Sequence, residues 1–216
     1  MTIEQAIDDQ AIDDQAVDEQ AVVSEQAAVT ERTSRLVGGT TPYPWPYDGA
    51  LTPERTALIV AGWNDEWWAR CHDPAVVVDL IRRLAESVDT VITIDHVGPA
   101  RSLCSFDPPA NALPPIAGSS VVAAAGIDAF FGSPLDPVLR SLGADLLLLV
   151  GLGLETTVHS TMRSANDRGY ECLLVVDACA PLDPDAVPNA VSMVEMSGGI
   201  FGAVGLTDPV LAALAR

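Results

Sequence analysis

Asp145–Gly169 reads DLLLLVGLGLETTVHSTMRSANDRG. The apolar run Leu146–Val150 is too short for a typical helix and stops at Gly151, which marks a strand buried on both faces. Gly151 and Gly153 permit a tight turn. Glu155, Thr156 and Thr157 supply capping and first-turn residues for a helix running to about Asp167 and ending at Gly169. A strand, a glycine turn and a helix N-terminus together gather backbone N–H groups at a positive helix end, which is the make-up of an oxyanion site. A Cys or Ser nucleophile is expected at such a turn; this chain offers Thr157.

Working outward, the pattern repeats. Thr56–Ala61, Thr90–Asp95, Ser120–Ala124, Glu171–Val176 and Ile200–Val204 read as further strands. Asp73–Glu86, Leu135–Ser141, Asp185–Met196 and Asp208–Leu214 read as helices. Strands alternating with helices imply a parallel α/β sheet covered on both faces. Ligands of such sheets bind beyond the carboxyl ends of the strands. Trp63, Trp67 and Trp68 cluster beyond the first strand, where they either line a pocket or cover the core. Pro42–Gly49, PYPWPYDG, is an extended, proline-punctuated segment with Trp45 as its anchor. Val97–Gly118 is a long loop.

The chain has 216 residues, 49% of them apolar, enough for one domain with a sizeable core. Its net charge of −19 argues against nucleic acid and against anionic membranes as partners. All 11 basic residues are Arg, so no lysine is available to any site. The four cysteines, Cys71, Cys104, Cys172 and Cys179, lack metal-type spacing and read as reduced thiols. With no hydrophobic signal segment and no long apolar run, a cytoplasmic protein is expected. Residues 1–34 are set apart by the repeat QAIDD, QAIDD, QAVDE between Gln5 and Glu19. A five-residue period places Ile7, Ile12 and Val17 around a helix rather than along one face. A disordered acidic tail is expected there, serving either as a docking peptide or as a solubilising extension; residues 35–216 form the domain.

The run at Gly151–Val158 resembles the nucleophile turn of the isochorismatase-like cysteine hydrolases, G-x-x-T-D-x-C-V. The stretches STMRSANDRGYECLLVVDAC, MVEMSGGIFGAV and PYPWPYDGALTPERTALIV resemble the biuret hydrolase branch of that family, and the similarity runs from about Pro42 to Arg216. The resemblance implies a single-domain, Rossmann-like, doubly wound parallel sheet of order 3-2-1-4-5-6 with helices on both faces. It also implies a catalytic Asp, Lys and Cys. Aligned on ALIVAGWN, the Asp falls on Gly62; the Lys falls on Ala124 and the Cys on Thr157. None of the three can do the family's chemistry unaided: Gly and Ala neither take a proton nor carry charge, and a Thr hydroxyl needs an adjacent base. The family's oxyanion donors fall on Gly153 and Thr157, with a cis peptide carried over to Leu152–Gly153. Trp63, Asn64, Trp67 and Phe130 are the expected lining of whatever pocket remains, a small and mostly apolar one. Metal-dependent relatives place ligands at Asp95 and His96, but one Asp–His pair is too few, and neither metal nor cofactor is expected. Asp65 is a possible substitute base, Cys179 reads as a structural thiol, and His159 should point away from Thr157. The loop between the second and third strands is shorter than in biuret hydrolase-like proteins.

Two functions follow. The first is a non-catalytic member of the family, a companion or scaffold subunit or a small-molecule binder, as a homo-oligomer or a hetero-oligomer with an active paralogue. The second is a C–N hydrolase acting on a small amide or ureide with altered catalytic residues.

Overall fold

In a computed structural model, residues 34–96 and 113–215 are described. The acidic repeat at 1–33 and most of the long loop after the second strand fall outside them. Six strands form one parallel sheet in the order β3-β2-β1-β4-β5-β6: β1 Thr56–Ala61, β2 Thr90–His96, β3 Ser120–Ala124, β4 Leu146–Leu152, β5 Glu171–Ala180 and β6 Ala203–Gly205. This is the expected doubly wound order. The helices are α1 Asp65–Arg70, α2 Val76–Ala85, α3 Leu135–Leu142, α4 His159–Asp167, α5 Val187–Glu195 and α6 Thr207–Leu214.

β1 and β4 are buried along their whole length. Their side chains alternate between two cores, as a strand's period of two requires. Leu58, Val60, Leu146, Leu148 and Val150 pack with α2 and α6 through Val77, Ile81, Leu84 and Val210. Ala57, Ile59, Leu147 and Leu149 pack on the other face with Leu135, Leu139, Met162, Ala165 and Val194. Each fully buried Leu or Ile contributes about 1.5–3 kcal/mol, so these central strands fix the sheet. The segment before β1 is tied to the first core by Trp45, which is completely buried. A bridge from Thr41 to Val204 holds that segment against the β6 edge, and one from Val37 to Trp45 closes it on itself.

Several boundaries differ from the sequence reading. α1 was not expected; Asn64 starts it by accepting the Trp67 N–H at 3.0 Å. α2 begins at Val76 rather than Asp73, because Asp73 takes a left-handed φ of 42°. The helix expected from Asp185 opens as a tight turn at Pro184–Ala186 before α5. β6 is shorter than Ile200–Val204, and β5 longer than Glu171–Val176. β5 pairs with β4 up to Leu174, bulges outward, and returns with Cys179 beside Gly151 and Ala180 beside Leu152. Within the bulge Asp177 accepts the backbone N–H and hydroxyl of Thr207, both at 2.9 Å, at the start of α6. Among the described residues no helix is long and apolar enough to cross a membrane.

Candidate functional site

β1 and β4 end side by side, Ala61 opposite Gly151, and their turns carry Gly62 and Thr157 into contact. Gly62 has φ +68°; a Cβ there would collide with the Leu152 carbonyl oxygen and lie 3.1 Å from Thr157 Oγ1. Ala124 closes β3, paired with His96 of β2, and is fully buried. It lies two strands from β1, about 10 Å away at ordinary strand spacing. Of the three positions the resemblance assigns, the structure therefore brings two together and leaves the third across β2.

Thr157 sits in a single wide helical turn, Leu154–Val158, that leads into α4. It is completely buried. Its hydroxyl donates to the Leu152 carbonyl, with the Gly153 carbonyl a second acceptor at 3.2 Å. One hydroxyl has one hydrogen, and it is held by carbonyls that cannot receive it as a base. Asp65, the candidate substitute base, heads α1 with a buried Oδ1 that has no partner among the described residues, and it is not among the Thr157 partners.

The expected cis peptide is absent: the cis bonds among the described residues are Thr41–Pro42 and Trp45–Pro46, and Leu152–Gly153 is trans. The physical reason lies in β5. Because β5 returns to β4 after its bulge, Ala180 O receives the Gly153 N–H at 2.9 Å, extending the strand ladder by one bond. A trans peptide directs its N–H and C=O to opposite sides. The Leu152 oxygen therefore turns toward Gly62 and Thr157, and the Gly153 N–H turns away from them. That N–H also meets Cys71 Sγ at 3.1 Å.

Cys71 had no signal in the sequence beyond its place after the tryptophan cluster, and only this tertiary contact reveals it. Burial pushes its thiol up to about 11, the Gly153 N–H opposing and the Glu155 charge reinforcing. It therefore stays protonated at neutral pH and is not a ready nucleophile. Cys179, in β5, donates to the Val175 carbonyl at 3.3 Å, and burial raises its pKa as well.

The remaining candidate side chains are packed or bonded. Trp67 is 5% exposed, its ring edge 3.0 Å from the point where a Cβ on Gly153 would begin. Trp63, 7% exposed, donates Nε1–H to the Pro114 carbonyl at 3.1 Å. Asn64 donates to Asp95 Oδ1 at 3.1 Å while it caps α1. Phe130 lies under Tyr170, ring centres 5.8 Å apart, with the Arg168 guanidinium over it. His96 bonds the Gly126 carbonyl through Nδ1, and its buried Nε2 has no partner among the described residues; desolvation holds its pKa below the ordinary histidine range. His159 is buried beside Ala190 of α5 and lowered likewise, first by desolvation and then by Arg163. Among the described residues no group of His, Cys, Asp and Glu is placed to hold a metal ion.

A six-stranded parallel sheet of this order, with a strand–glycine–helix turn at its carboxyl edge, defines a class of doubly wound α/β domains. The sequence profile of the isochorismatase domain matches residues 56–205, and the chain belongs to that family. Among curated relatives, the ureidoacrylate amidohydrolase RutB of Methylobacterium radiotolerans is 30% identical over 80 residues, 37% of this chain and 31% of that protein. The match spans about a third of that relative's length, and no more than about a third of two uncharacterized isochorismatase family proteins, YecD of Escherichia coli O157:H7 and YwoC of Bacillus subtilis. Among solved structures, a cysteine hydrolase from Pseudomonas syringae pv. phaseolicola superposes with a TM-score of 0.64 at 21% identity, covering 76% of this chain and 94% of that one. An N-carbamoylsarcosine amidase from Thermoplasma acidophilum gives 0.55 at 22% identity, covering 71% and 97%. At these identities the structural matches speak to the fold.

Proposed function

We propose that this chain is a non-catalytic member of the isochorismatase family, nearest its biuret hydrolase branch, acting as a companion or scaffold subunit in a homo-oligomer or beside an active paralogue. The observation that carries the reading is the Thr157 hydroxyl, buried and donated to the Leu152 carbonyl, next to a residue 62 with no side chain. A hydrolase of this kind needs a nucleophile with a base to take its proton and a donor for the oxyanion. Here the hydroxyl faces acceptors that hold no charge, the carboxylate position is glycine, and the Gly153 N–H is spent on Ala180. The chain has no lysine to supply the third group. The branch assignment rests on the long runs PYPWPYDGALTPERTALIV and STMRSANDRGYECLLVVDAC.

The test is turnover of biuret, ureidoacrylate and nicotinamide by the purified chain, followed by ammonia release, with native mass recorded alone and after co-expression with genomically adjacent isochorismatase-family proteins. The expected result is no ammonia above buffer and a defined oligomer. Turnover abolished by Thr157→Ala would overturn the reading in favour of an altered C–N hydrolase.

A further inference from the structure

At the opposite end of the sheet from Thr157, a hollow of about 490 Å³ is lined by Tyr43, Tyr47, Glu171 and Gly198–Ile200. Glu171 is the first residue of β5. One of its carboxylate oxygens accepts the Tyr47 backbone N–H and, at 3.4 Å, the Tyr43 hydroxyl; the other has no partner among the described residues. Arg55, whose charge reaches Glu171, is already bonded to Asp48 and Asp145, each at 2.8 Å. Burial first, and then the Asp48 charge, push the Glu171 carboxyl above its usual range, against the opposing Tyr47 N–H bond and Arg55 charge.

The walls suit the same charge. The Tyr43 and Tyr47 rings stand edge to face, 6.1 Å between centres at 69°. Tyr43 lies against Gly199, where a Cβ would come within 3.2 Å of two ring carbons. Tyr47 is 84% exposed, yet its backbone N–H is held by Glu171. Aromatic faces attract cations through their quadrupole. Gly198–Ile200 leave the C-terminal end of α5, the negative end of a helix dipole. A second hollow, between α4 and α5, has no such bias: its Glu155 is spent on the Leu182 and Asp183 N–H groups and sits with Arg163.

We propose that the Tyr43–Tyr47–Glu171 hollow binds an organic cation with N–H donors, an alkylammonium or guanidinium head that lies against the tyrosines and donates to the open Glu171 oxygen. The chemistry is shared by a free small amine and by a basic side chain of a partner protein. The inference does not depend on whether Thr157 is inert.

The test titrates the full-length protein with n-butylammonium and methylguanidinium chloride at constant ionic strength, by calorimetry, with tetramethylammonium as a cation lacking donors. Saturable binding is expected for the first two. Tyr47→Ala, which removes an exposed ring, should weaken it about fivefold. Glu171→Gln keeps a carbonyl for the Tyr47 N–H but removes the charge, and should weaken it about tenfold or more. An Ac-Gly-Arg-Gly-amide peptide binding about tenfold tighter than methylguanidinium assigns the head to a partner protein; equal or weaker binding assigns it to a small amine. Absence of saturation, titrations unchanged in both variants, or equal affinity for tetramethylammonium would each overturn the proposal.

Discussion

Gly62→Ala measures how firmly the Leu152 carbonyl is lodged in the space at the end of β1. Gly62 is buried with φ +68°, and an added Cβ would overlap that oxygen. Two costs add. A left-handed backbone costs an L-residue about 1–2 kcal/mol, and overpacking a filled site costs about 1–3 kcal/mol. The sum is about 2–5 kcal/mol. Gly143 supplies the matched control: its φ is +69°, but a Cβ there meets nothing within 4 Å. Gly143→Ala should therefore lose only the first cost, about 1–2 kcal/mol. Urea unfolding followed by far-UV circular dichroism gives both values, and their difference isolates the steric part. For a domain of this size the excess should lower Tm by roughly 2–4 °C per kcal/mol. Equal losses in the two variants would refute the reasoning, because they would mean that the carbonyl does not occupy the space at residue 62.

Thr157→Val preserves shape but leaves the buried Leu152 carbonyl without its donor, and should cost about 1–3 kcal/mol in the same unfolding assay. Trp45→Ala removes a fully buried indole and should cost about 3–5 kcal/mol, measured by urea midpoint, which would establish the segment before β1 as part of the folded domain. The histidines give a pH dependence: His96 and His159 are held below the ordinary range by burial, so below about pH 6.5 the unfolded chain binds protons that the native state refuses. Their contribution is complete above that pH and is lost as pH falls through it toward the lower native values. Unfolding free energy measured from about pH 7.5 to about pH 5.5 should fall, and the fall should shrink in a His96→Gln, His159→Gln double variant.

The central strands were legible because their signal is local: LLLLV and ALIVA are continuous apolar runs bounded by glycine or polar residues, and burial on both faces follows. The family resemblance supplied the strand order, which periodicity alone does not contain. What stayed hidden depends on partners distant in sequence. β5 reads as ending at Val176 because Asp177 is polar, yet Asp177 serves as a cap for Thr207 and the strand resumes beyond it. α1 is short, and its adjacent Trp67 and Trp68 blur any amphipathic period; only Asn64, bonding both Trp67 and Asp95, marks its start. Cys71 carries no motif at all.

The geometry around Thr157 also ties together residues 62, 153 and 157, which the sequence presents separately. A residue with a side chain at position 62 and the Leu152 oxygen compete for one volume, since a Cβ there would overlap that oxygen. With glycine at 62 the carbonyl can turn in, and the trans peptide then turns the Gly153 N–H out to Ala180. The inward carbonyl and the outward N–H are the two ends of one peptide group. The inward carbonyl in turn gives the Thr157 hydroxyl an acceptor, which satisfies a polar group that burial would otherwise penalise. A cysteine placed at 157 would meet that same oxygen and still find no base. On the proposed non-catalytic reading, Gly62→Asp or Thr157→Cys alone should give no ammonia release from biuret or ureidoacrylate, because residue 62, peptide 152–153 and the return of β5 at Ala180 are arranged around a single shared space.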